Sequence, residues 1–119
     1  MKSCEDYTEV FLCHARLYVF ADVYHVEALK ALALYKLRRT LAKFYLYPER
    51  VPDVVLLLQY AYSHTMDHEE SIDELRDLVT DYAVCVIEVI AQDPDLQALL
   101  SDRGALAKDL VTKLLNRLD

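Results

Sequence analysis

The first pair of residues in this 119-residue chain whose types and spacing suggest chemistry is His64 and His68. On a helix, residues four apart share a face, and two imidazoles placed so can bind zinc. The pair falls instead at a helix end and in a polar connector. His68-Glu69 also lacks the second histidine that an H-E-x-x-H site requires. Surface histidines are the expectation. Cys13 and His14 are neighbours, and successive residues on a helix point about 100° apart. A nucleophile and its base must lie within hydrogen-bond reach, so a core or half-buried pair fits better. Asp67, Glu69, Glu70, Asp73, Glu74, Asp77 and Asp81 form an acidic stretch. It contains no glycine, which a calcium-binding EF-hand loop needs, and it reads as a solvated helix start that complements the positive end of the helix dipole. No catalytic residue, metal ligand or cofactor-binding residue is predicted.

Lys36, Arg39 and Lys43 recur three and then four residues apart. That spacing gathers three cations on one helix face, where they could contact a phosphate backbone. The ordinary role of such a set is a solvated face. The formal net charge of −7 argues against wholesale nucleic-acid binding, which normally shows as a basic domain. A nucleic-acid-associated helical domain using this basic helix is the alternative reading. Charge is uneven along the chain: between Ala28 and Arg50 six basic residues stand against one acid, and between Asp67 and Asp95 ten acids stand against one base. The two segments could attract each other or present two poles to partners.

The elements that must position these residues are helical. The chain has a single glycine and three prolines. Tight hairpins draw on Gly or Asn where φ must be positive. Dinucleotide fingerprints, Walker A loops and nucleophile elbows each need two or more glycines. Leu, Ala, Glu and Lys, all good helix formers, are abundant instead. The expectation is one all-α domain over 1–119, with about six helices in an orthogonal or antiparallel array.

The first helix, about Tyr7 to Tyr24, is apolar almost all round, so it is either buried or awaits a partner. The second runs from about Glu27 to Leu46, with Ala33, Leu37, Leu41 and Phe44 as a buried stripe, and ends at Tyr47-Pro48. The third starts near Pro52 and carries the run Val54 to Leu58 followed by Tyr60, Ala61 and Tyr62. Thr65 to Glu70 is a polar connector. Ser71-Ile72-Asp73-Glu74 reads as a capping box opening a fourth helix that continues to Ile90. Asp93-Pro94 stops it and starts a short fifth helix ending near Leu100. After a break at Asp102 to Gly104, the sixth places Leu106, Leu110, Leu114 and Leu118 on one face.

Three scattered cysteines, Cys4, Cys13 and Cys85, make neither a disulfide framework nor a zinc knuckle, which suggests a reducing compartment. Cys4-Glu5-Asp6 interrupts any apolar start, so no secretory leader is expected. No uncharged stretch approaches the roughly 20 apolar residues of a membrane span. An intracellular protein, cytoplasmic or nuclear, is expected. The remaining signal is hydrophobic. Helices one and three look apolar on more sides than six short helices could cover, and such surface often marks an interaction face. Phe11, Tyr18 and Phe20 are the contact residues expected on helix one. A protein partner is expected, with self-association through exposed apolar helix faces as one form of it.

The stretch His14-Ala15-Arg16-Leu17-Tyr18-Val19-Phe20-Ala21-Asp22-Val23-Tyr24, followed by Val26, Leu29, Lys30, Ala33 and Leu37, resembles the pair of helices that closes a BTB/POZ domain in fungal proteins. Tyr47-Pro48-Glu49-Arg50-Val51, leading into an apolar helix with Tyr60 and Tyr62, is similar to the helical extension that follows there. The resemblance implies a closing helix pair over 7–46 and an extension over 47–119. A whole BTB domain begins with a β-sheet and earlier helices, which carry the dimer-forming helix and much of the cullin contact. Only a few residues precede helix one here, so the chain resembles the C-terminal part of such a protein. The implied role is a non-enzymatic interaction module, linked in the intact family to substrate recruitment by cullin-type ubiquitin ligases. Cullin binding and BTB-type dimerisation are not carried over.

Overall fold

Tyr7–Val23 (α1) and Glu27–Lys43 (α2) form an antiparallel hairpin in the computed structural model, which describes residues 7–43, 50–66 and 71–118. The turn between them is a Schellman closure. The Val26 N–H donates to the Ala21 carbonyl at 2.9 Å, the His25 N–H reaches the Asp22 carbonyl at 3.4 Å, and His25 has φ 59°. The chain's single glycine, Gly104, is not in this turn. Asp22 then ties the hairpin across: Lys30 Nζ lies 2.9 Å from its carboxylate and 5.4 Å from the centre of the Tyr18 ring.

Five more helices follow: Val51–His64 (α3), Glu74–Cys85 (α4), Ile87–Ile90 (α5), Pro94–Asp102 (α6) and Gly104–Leu118 (α7). The described residues contain no strand, and the all-α expectation holds. The second helix is described as far as Lys43, and Phe44 and the Tyr47-Pro48 stop lie outside the described residues. Ala33, Leu37 and Leu41 are buried, as their spacing predicted. Pro52 sits in the first turn of α3, and Asp93 caps α6 by accepting the Leu96 N–H at 3.1 Å, with Pro94 next to it.

Three local expectations are corrected. The fourth helix does not run through to Ile90, so seven helices are described rather than six. It ends at Cys85, and Val86 leaves the helical region at φ −114° and ψ 23°. Val84, Val86, Ile87, Val89 and Ile90 crowd β-branched side chains into seven residues, and such side chains lose χ1 freedom in a helix. The cap of α4 is Asp73, not Ser71. One Asp73 oxygen accepts the N–H groups of Leu75 and Arg76, and the other accepts the Tyr18 hydroxyl at 3.1 Å. A serine two residues earlier cannot compete with a charged acceptor anchored from both sides. The third correction concerns α3, whose apolar run is not a free face. Val51, Val54, Val55, Leu57, Leu58, Ala61 and Tyr62 are all buried, and only Leu56 of the run stays exposed. It is the central helix, contacted by α1, α4 and α6.

One cluster of buried side chains runs through all seven helices, including Phe11 and Tyr18 from α1, Leu37 from α2, Leu57 and Leu58 from α3, Leu75 and Val79 from α4, Ile90, Leu96, Leu106 and Leu110. Fully burying one large aliphatic or aromatic side chain contributes about 1.5–3 kcal/mol. Polar clamps fix the helix ends. Arg76 is buried, lies 4.3 Å from the centre of the Tyr62 ring, and donates to the Thr65 hydroxyl and carbonyl at 2.6 and 2.9 Å. It sets a cation at the C-terminal end of α3, where the helix dipole favours one. Lys113 of α7 bridges Asp77 and Asp81 of α4, and Arg117 donates to the Val84 carbonyl.

Candidate functional site

Helix α1 presents two faces. Phe11, Ala15, Tyr18 and Ala21 fall on one stripe at intervals of four, three and three, and all are essentially inaccessible. The alanines let the neighbouring helices approach, and the two rings fill the space between. Phe11 and Tyr18 are therefore core residues, which corrects their expected place on a contact face. Tyr18 is further fixed by its bond to Asp73. Burial first, and then the Asp73 carboxylate, push its phenol pKa well above the usual value.

Phe20 is different. It is 53 % exposed, and Val23, Tyr24 and Val26 beside it are 60, 65 and 40 % exposed. The Phe20 and Tyr24 rings meet at 4.7 Å between centroids. Four large apolar side chains within seven consecutive positions thus stand in solvent at the hairpin's tip. Phe20 was legible in the sequence. Val23, Tyr24 and Val26 were not, because helix one is apolar almost all round and its periodicity singles out no exposed face at the turn.

Lys36, Arg39 and Lys43 are all exposed. They line one concavity with Thr40 and with His14 of α1, about 200 Å³ in volume. The hairpin brings His14 here because positions 14 and 36 are equally far from His25. Desolvation, and then the charge of Lys36, lower the His14 pKa from its ordinary value. Arg39 lies 5.7 Å from the centre of the Tyr35 ring, and the Thr40 hydroxyl donates to the Lys36 carbonyl at 2.9 Å. Among the described residues no carboxylate forms an ion pair with Lys36, Arg39 or Lys43. Of the α4 acids, Asp77 and Asp81 are taken by α7, and Glu74 acts on Lys30 of α2 through its charge.

A larger concavity, about 460 Å³, lies between α3 and α6. Pro52, Val55, Leu56, Ala98 and Leu99 give it an apolar lining, and its only titratable groups are Asp95 and Asp102. Cys13 is exposed rather than half-buried, and His14 turns away into the basic concavity. His64 stacks on Tyr60 at 4.0 Å and its Nδ1 lies 3.0 Å from the Tyr60 carbonyl. Its proposed mate, His68, lies outside the described residues. Among the described residues no three His, Cys, Asp or Glu side chains gather as a metal site, and no helix is long and apolar enough to cross a membrane.

Comparison of the chain with protein-family models, with curated proteins and with solved structures finds no match.

Proposed function

We propose that this chain is a non-enzymatic protein–protein interaction module, of the kind that the helical end of a BTB/POZ adaptor provides, and that it docks its partner at the tip of the α1–α2 hairpin. The observation that carries the reading is the apolar tip itself. Phe20, Val23, Tyr24 and Val26 are each at least 40 % exposed, although the same hairpin buries Phe11, Tyr18 and Leu37 completely. Contiguous exposed apolar side chains of this size are characteristic of interaction sites, and aromatic anchors carry a large share of the energy in such contacts.

Four of the residues behind the BTB/POZ resemblance have structural tasks that shape the hairpin and hold its tip out from the core. Ala15 and Ala21 permit close helix packing, Tyr18 binds Asp73, and Asp22 binds Lys30. In a longer protein of that family the hairpin would hold a substrate or scaffold partner for a cullin-type ubiquitin ligase.

Site-specific photo-crosslinking in cells tests the proposal. A benzophenone side chain at Phe20 or Tyr24 should capture one discrete protein, and the same group at exposed Gln97 should not. Val23→Asp should abolish the product while circular dichroism stays unchanged. No product at the tip, or an equal product at Gln97, overturns the reading. Mass spectrometry of the product then distinguishes a second copy of this chain from a different protein.

A further inference from the structure

The basic concavity on the side of the hairpin is distinct from its apolar tip. Its wall carries three formal cations and an imidazole, contributed by His14, Lys36, Arg39 and Lys43. In a chain of net charge −7, acids are plentiful, yet none among the described residues pairs with these cations. Other cations do find partners. Lys30 binds Asp22 and Lys113 binds two aspartates. Like charges gathered on one face repel one another, and the His14 pKa is lowered first by desolvation and then by the charge of Lys36. An anion entering here would relieve that repulsion.

We propose that this concavity is a binding site for a single phosphate-type dianion, held by Lys36, Arg39 and Lys43 with His14 as a fourth donor.

The geometry favours one small anion over a polymer. The volume of about 200 Å³ is below the roughly 300–1,000 Å³ of pockets that enclose drug-sized ligands. Lys36, Arg39 and Lys43 line one concavity with His14, and Lys30, about 120° round the helix from Lys36, does not continue their row and is held by Asp22. Arg39 is steadied over the Tyr35 ring, so less freedom is lost when its planar fork meets phosphate oxygens. The Thr40 hydroxyl spends its proton on the Lys36 carbonyl and adds no donor. The negative end of the α2 dipole opposes an anion near Lys43, but it amounts to about half a charge against three full cations.

The test is a two-dimensional NMR titration of the whole chain at constant ionic strength, using inorganic phosphate and O-phosphoserine as probes and a uridine oligonucleotide as comparison. Saturable shifts at His14, Lys36, Arg39, Thr40 and Lys43 are expected, with an upward move of the His14 titration midpoint as phosphate offsets the field of Lys36. K36E and K43E should each weaken binding about tenfold or more, as expected for loss of a charge-assisted hydrogen bond. Both side chains are exposed and unpaired among the described residues, so the fold should survive, and circular dichroism checks it. Tighter binding of O-phosphoserine than of phosphate identifies a phosphorylated side chain as the source, and the reverse order identifies free phosphate. Absence of a saturable shift, shifts unchanged by K36E and K43E, or shifts seen only with the oligonucleotide and spread over all of α2 would each overturn the proposal.

Discussion

Tyr18 shows how one side chain can join three helices. Its ring lies in the core, its face receives Lys30 from α2, and its hydroxyl holds the residue that caps α4. Removing only the hydroxyl, as in Tyr18→Phe, should cost about 1 kcal/mol in a urea titration, because Asp73 keeps its two backbone donors. The same environment makes alkaline stability a sharper readout. Burial, followed by the Asp73 carboxylate, raises the Tyr18 pKa above its ordinary 10.0. Burial also raises Tyr82, and Lys113 is raised because Asp77 and Asp81 together outweigh its desolvation. A group whose folded pKa exceeds its unfolded value binds its proton more tightly when folded. Its contribution is therefore complete below the unfolded value and is lost as pH rises through the folded one. Urea midpoints should stay level to about pH 9.5 and fall above pH 10. Tyr18→Phe should remove part of that fall and leave the rest. A midpoint flat to pH 11 would contradict the assignment.

At the scale of the element, helix ends were legible wherever local chemistry decides them. Pro52 and Asp93-Pro94 mark the starts of α3 and α6 because a missing N–H and a capping carboxylate act within one turn. The start of α4 was misread because the choice between Ser71 and Asp73 is settled by Tyr18, 55 residues away in sequence. Asp73→Ala should cost about 2 kcal/mol, combining a lost cap with an orphaned hydroxyl. Ser71→Ala should stay within about 0.5 kcal/mol. The candidate sites divide in the same way. The spacing of Lys36, Arg39 and Lys43 on one helix was visible in the sequence, whereas their meeting with His14 requires the hairpin to close. Phe11, Tyr18 and Phe20 look alike as aromatic residues on an apolar helix, and only the packing of α2 and α3 separates core from surface. The closing turn makes its own prediction. His25 occupies the left-handed region at φ 59°, which costs a non-glycine residue roughly 1–2 kcal/mol. His25→Gly should recover about 0.5–1 kcal/mol after the added entropy of the unfolded chain, read as a higher urea midpoint.

For the molecule as a whole, the open question is what holds α7 against the rest, since it closes the core over α4 and α6. Two kinds of contact compete. Leu106 and Leu110 are buried in the common cluster. The polar side has the Tyr62–Asp109 hydrogen bond, the Lys113 bridge to Asp77 and Asp81, and Arg117 on the Val84 carbonyl. The carboxylates of the Lys113 bridge are 50 and 64 % exposed, so water screens them and the bridge should contribute about 1 kcal/mol or less. A buried leucine cut to alanine costs about 2–5 kcal/mol. Leu110→Ala should therefore lower stability at least twice as much as Lys113→Met. Total stability for a chain of this length is about 5–15 kcal/mol, so Leu110→Ala removes a large fraction of it. Because the cluster runs through every helix, the loss should appear as an earlier single transition, with tyrosine signals and helical ellipticity falling together. A larger cost for Lys113→Met would show that the polar clamps hold α7. Separated transitions would show that the α1–α2 hairpin, with both of its proposed sites, folds independently of the helices that follow.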